Sequence, residues 1–142
     1  KGFAMIMKTS EAINNLFDEN IFLYLEEIDL CKRLKKKNGR IILIDIPVKH
    51  LGGFSHGSRD DIEMEKSRNW HWMWSKFYYN KKYYGYLYSF FFLLPSFLSA
   101  IIKFFLNKLL GNQKKKTIYK MRLLGLINSY ILRKSFYRPY KK

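Results

Sequence analysis

Acidic residues stop at Glu65. Beyond it the chain carries seventeen Lys and Arg and no Asp or Glu, whereas up to that point ten cations meet eleven acids. The formal net charge of +16 therefore comes from the second half, and the chain divides into two regions with different work. Charge of this sign suits nucleic acid and anionic membrane equally, so the residues around it must decide. Cysteine is almost missing. Cys31 alone excludes a disulfide framework and fits a reducing compartment. There is no internal repeat, and no low-complexity segment beyond Lys114-Lys116. No signal peptide is visible, and position 1 is Lys. The run GFAMIM reads like a strand already under way, so a piece of a longer protein is expected. At 142 residues it is long enough for one domain with a core.

What is present centres on Phe17 to Asn38, FDENIFLYLEEIDLCKRLKKKN. Glu26, Glu27 and Asp29 fall where a helix would begin, and acids in a first turn suit the positive end of its dipole. Ile28, Cys31 and Leu34 recur at helical spacing, predicting a packed face with Lys32, Lys35 and Lys36 in water. Asn38-Gly39 supplies the stop. Before this stretch, Gly2 to Met7 reads as a strand, and Thr9 or Ser10 caps a brief helix over Glu11 to Leu16. After it, Arg40 to Pro47 is a β-branched run that reads as a buried strand. Strand, helix, strand is the rhythm of an α/β domain, and a Gly/Ser loop carrying His50 and His56 follows at its ligand edge.

The pattern F-D-E-x-x-F-L-Y-x-E-E-x-D-L-C-x-R-L, with a basic turn and Gly behind it, closely resembles the C-terminal half of family 2 glycosyltransferase domains. The nearest likeness is the rhamnosyltransferase-like branch that builds bacterial surface polysaccharides, and it runs from Gly2 to about Gly85. The resemblance implies a partial α/β nucleotide-diphospho-sugar transferase (GT-A type) fold over residues 1–82. A hydrophobic, membrane-associated helix or hairpin (83–110) and a basic helical tail (111–142) would follow. It implies inverting transfer of a sugar, such as rhamnose from dTDP-rhamnose, to a hydroxyl of a lipid-linked glycan. Glu27 then stands at the catalytic base position, where the family more often has Asp. It also implies a divalent metal, Mg or Mn, held mostly by an upstream D-x-D motif that this chain lacks; Asp60-Asp61 has the wrong spacing. Without that half the fragment alone is expected to be inactive.

Residue chemistry offers three candidates, each with a plain alternative. A carboxylate within reach of an acceptor hydroxyl serves as a base, which points to Glu27 with Glu26 and Asp29 beside it. Alternatively the three acids merely decorate a helix start, and Asp29 with Arg33 at i and i+4 forms a structural ion pair. His50 is a candidate metal ligand, although hard cations prefer oxygen. Arg68, His71 and Trp72, within KSRNWHWMWSKFYYNKK on an expected helix, combine cation and aromatics suited to a diphosphate, sugar or base. An aromatic packing face or an interfacial helix explains them equally well.

Tyr83 to Ile102 contains no formal charge, with tyrosines crowding one end as at a membrane interface. A span needs about 20 apolar residues, which this run barely meets with Pro95 inside. The tail beyond carries twelve Lys and Arg, and a single crossing would place it outside, against the positive-inside rule. A helix lying in the interface, or a re-entrant hairpin, is therefore expected on the cytoplasmic face of a bacterial plasma membrane. The expected partners are a nucleotide-sugar donor, a lipid-linked glycan acceptor and anionic membrane, with nucleic acid disfavoured. The rival readings are a non-catalytic basic-aromatic module binding membrane or nucleic acid, and a degenerate transferase scaffold.

Overall fold

The computed structural model describes residues 5–7, 16–42, 44–49 and 62–138. Among these, four helices account for 67% of the residues and no strand occurs. They are α1 (Glu26–Lys36), α2 (Ile62–Tyr84), α3 (Tyr86–Leu109) and α4 (Gln113–Tyr130).

α1 begins with Glu26, Glu27 and Asp29 in its first turn and ends with Arg33, Lys35 and Lys36 in its last, both favourable to the helix dipole. Asn38 takes the left-handed conformation (φ 61°), and the Gly39 N–H returns to the Leu34 carbonyl at 2.9 Å. Asn38-Gly39 thus closes the helix in the usual αL manner. Gly85, at φ 88°, breaks the long aromatic run into α2 and α3. Gly111 (φ 69°) turns the chain again, and the Asn112 side chain accepts the Lys115 N–H at 3.0 Å to cap α4.

α2, α3 and α4 form a bundle. Asn69 meets Arg122, Trp70 lies under Gly125 and Phe77 packs on Tyr130, so α2 and α4 run parallel. α3 runs back between their ends, with Leu93 beside Leu126 and Tyr86 donating to the Tyr130 carbonyl. Met73, Phe77, Leu93 and Leu126 make one core cluster; Trp70, Trp74 and Met121 make another. α1 lies along α2, held by contacts that run from Phe22–His71 to Lys32–Tyr84.

The α/β expectation is overturned, because the described residues are all-helical. Residues 40–42 and 44–47 of the Arg40–Pro47 run have no regular structure and are exposed, and residues 5–7 form no strand. β-Branched residues favour a strand only where a neighbouring strand supplies hydrogen bonds and packing, and no described segment does. Residues 1–4, 11–15, and the loop with His50 and His56 lie outside the described residues.

Candidate functional site

The segment before α1 is locked onto α2 in a strained shape. Tyr24 and Leu25 both adopt positive φ, 68° and 72°. Non-glycine residues held there cost on the order of 1–3 kcal/mol each and persist only where surroundings enforce them. The enforcing contacts are specific. The Ser75 hydroxyl donates to the Leu23 carbonyl at 2.7 Å, Tyr24 meets Trp72 edge-on at 5.3 Å, and Phe22 lies 4.9 Å from His71. The kink sets Glu26 and Glu27 at the tip of α1 and holds Tyr24 against the part of α2 that carries Trp72.

These neighbours shape the electrostatics. Burial raises the Glu26 pKa, its own backbone N–H works against this, and the nearby Glu27 charge adds to the rise. Glu26 Oε2 is buried without a hydrogen-bond partner among the described residues. Burial likewise raises the Tyr24 pKa; Arg68 opposes the shift while Glu65 and Glu26 reinforce it, so each of the three lies within electrostatic reach of Tyr24. Arg68 holds Glu65 loosely at 3.3 Å, leaving the guanidinium partly exposed. Lys76 sits over the Trp72 ring at 4.6 Å. Tyr24 thus links two distant stretches of sequence, the one with Glu26 and the one with Arg68 and Trp72.

The other expected residues fall elsewhere. Asp29 is completely buried, bound by Arg33 at 2.8 Å, Lys82 at 2.7 Å and the Tyr83 hydroxyl at 2.7 Å. That network ties α1 to α2 and leaves Asp29 no room to meet a substrate. His71 is also fully buried, which corrects its expected contact with donor or acceptor. Its Nε2 donates to the Tyr137 carbonyl at 2.7 Å, so Nδ1 accepts from the Ser135 hydroxyl at 3.1 Å. Burial pushes its pKa down to about 4, against the Tyr137 carbonyl and with help from the Arg138 charge. It is a neutral internal strut. His50 lies outside the described residues, and among those described no three His, Cys, Asp or Glu side chains are placed to hold a metal. Glu26 and Glu27 with Asp29 do not form such a set, since Asp29 is fully engaged.

Two features escaped the sequence. Lys32, expected in water, lies over the Tyr83, Tyr84 and Tyr79 rings at 3.9, 4.4 and 5.3 Å and donates to the Tyr84 hydroxyl at 3.0 Å. Asp18 accepts from Lys82 at 2.7 Å and Tyr78 at 3.0 Å. Burial would raise the Asp18 pKa, but these bonds and those from Asn20 hold it at about 2. The Tyr79-Tyr83 spacing of four, on one helix face, was the available signal for the first.

α3 is built inside out. Its buried face carries Ser89 and Ala100 with Leu93, while Leu87, Phe91 and Leu109 on the outer face are 71%, 64% and 84% exposed. Leu98, Ile102 and Phe105 continue the outer stripe at helical spacing. The helix is long and apolar enough to cross a membrane, with mean hydropathy 1.9 over its best window and only 17% of that window buried. A soluble bundle would place these faces the other way round. Compared with known proteins, the chain matches no family model, no curated protein and no solved structure.

Proposed function

We propose that this chain is the acceptor-side, membrane-docking part of a glycosyltransferase. It would move a sugar from a nucleotide-diphospho-sugar to a hydroxyl of a lipid-linked glycan, on the cytoplasmic face of a bacterial plasma membrane. The observation that supports the reading is the strained Tyr24–Leu25 turn that leads into Glu26 and Glu27, with Tyr24 edge-on to Trp72 and within electrostatic reach of Arg68 and Glu26. In this reading Glu27 accepts the proton of the attacking hydroxyl. Glu26, half-buried and raised in pKa, stands beside it. Arg68 offers charge to an anionic group, and Trp72 an aromatic face to a sugar. The reading rests on these side chains and not on a sheet. No step is assigned to a metal, because the described residues do not supply its ligands.

The outer face of α3 supports docking, and its packing favours a helix lying in the interface. α2 and α4 cover the other side of α3 and carry Lys76, Lys120 and Arg122. A crossing would drag such charges into hydrocarbon at about 2.5–3.5 kcal/mol each. Lying in the interface avoids this, and lysines near anionic lipid add roughly 1 kcal/mol apiece. The test is transfer of labelled sugar to membrane lipid by the enzyme that contains this chain. Glu27→Gln is expected to lower turnover at least a hundredfold, the scale of a general base, with donor binding kept. Unchanged turnover in Glu27→Gln excludes this residue as the base.

A further inference from the structure

A pocket of about 100 Å³ lies between the second half of α2 and the chain that leaves α4. Its floor is aromatic, from Trp74, Phe77 and Tyr78, with Trp74 and Tyr78 stacked 5.0 Å apart. Three cations line it: Lys81 from α2, and Arg133 and Lys134 from the exit of α4. They come together because Leu132 takes a positive φ of 58°, which turns the chain back across α2. The Trp74 indole N–H then donates to the Arg133 carbonyl at 2.9 Å, and Tyr137 and Ser135 engage the two ring nitrogens of His71. The returning segment is pinned, and two of the three cations stand on it.

Among the described residues no carboxylate answers these charges: the side chains of Lys81, Arg133 and Lys134 make no ion pair. Asp18, which reaches Tyr78 and Asn20 beside the pocket, is already held by Lys82 at 2.7 Å. A helix carboxyl end ordinarily disfavours an anion. Here its carbonyls are taken: those of Ile127, Asn128 and Ser129 accept from the N–H groups of Ile131, Arg133 and Leu132, and that of Tyr130 from the Tyr86 hydroxyl. Three like charges around one hollow repel each other, and an anion among them relieves that. Sites for whole small molecules run to about 300–1,000 Å³, so this hollow suits a single tetrahedral oxyanion, and arginine pairs well with phosphate. No α3 residue lines it, and Trp74 and Tyr78 belong to the core cluster that α3 does not cover, so its approach is from water.

We propose that this pocket seats one phosphate group delivered from water, as the free ion or on a small ester, bridging the segment after α4 to α2. The seat needs neither sugar transfer nor a bilayer, so it stands or falls apart from the reading above. The test is calorimetric titration of the full chain in a non-ionic detergent, at fixed ionic strength, with inorganic phosphate, glycerol 3-phosphate and nitrate. At least one of the two phosphates is expected to bind at least tenfold tighter than nitrate. Lys81→Gln and Arg133→Gln are each expected to weaken it at least tenfold with the circular dichroism unchanged, whereas Lys115→Gln, near the other end of α4, leaves it intact. The same phosphate is expected to raise the unfolding temperature of the unaltered chain but not that of Arg133→Gln. Nitrate binding as tightly would mean plain charge screening. An equal loss in Lys115→Gln would mean diffuse attraction, and full binding by both pocket variants would place the anion elsewhere. Binding of phosphatidic acid vesicles through Lys81 and Arg133, with both soluble phosphates ignored, would make the ligand a lipid. Any of these four overturns the proposal.

Discussion

His71 shows how burial converts a reactive side chain into a structural one. Both ring nitrogens are engaged, by Tyr137 and Ser135, and the ring stays neutral because burial disfavours its charged form. The consequence is a pH dependence whose sign follows from linkage. An unfolded His titrates near 6.5 and this one at about 4 in the fold, so its contribution is whole above 6.5 and lost as pH falls toward 4. Asp18 behaves alike in a lower window: its contribution is present above 3.8 and lost toward about 2. Glu26, raised by burial above its usual 4.5, runs the other way: its contribution is lost as pH rises above 4.5, so it opposes His71 within the upper window. The His71→Asn variant separates the two. Urea midpoints read by tryptophan fluorescence are expected to fall as pH drops from about 6.5 to about 4. His71→Asn is expected to flatten that slope; an unchanged slope would mean another group carries it.

At the scale of elements, contact between α2 and α4 is set by a missing side chain. A Cβ on Gly125 would lie 2.2 Å from the Trp70 carbonyl oxygen, a backbone atom that cannot swing aside. In an open helix Gly→Ala stabilises by about 0.5–1 kcal/mol. Here overpacking wins, and Gly125→Ala is expected to destabilise by about 1–3 kcal/mol in denaturant unfolding. A gain in stability would show that the helices stand further apart. α3 yields the opposite kind of prediction, because its outer face is exposed among the described residues. Leu98→Glu is expected to leave thermal unfolding nearly unchanged and to weaken binding to anionic vesicles at least tenfold. Co-sedimentation measures this, and equal binding would remove α3 from the contact.

The same elements show what sequence alone reveals. The acidic start and Asn38-Gly39 stop of α1 are local signals, and the structure realises both. Its buried face was not local. Asp29 and Leu30 are buried while Ile28 is 46% exposed, because Lys82 and Tyr83 draw the Asp29 carboxylate inward from more than fifty residues away. Arg40 to Pro47 has strand composition, yet pairing is a property of two segments and composition reports one. Glu26, Arg68 and Trp72 were identifiable by residue type. That Tyr24 lies against Trp72 and within reach of Arg68 was not, since it depends on how the segment before α1 packs on α2.

Across the whole molecule, the charge split and the inverted α3 describe one object. A bundle presents apolar residues outward on one helix, carries cations on the flanking two, and packs the turn that leads into Glu26 and Glu27 against its side. Lying flat, α3 would bring the flanking cations to the level of lipid headgroups. Depth is the measurement that tests this most directly. Nitroxide labels at Leu87, Leu98 and Leu109 sample about 33 Å of helix at 1.5 Å per residue. On anionic vesicles the account predicts one shared depth, about 5–10 Å below the headgroup boundary. Depths that change steadily from Leu87 to Leu109 would mean that α3 crosses the bilayer, and labels left in water would mean that it never enters.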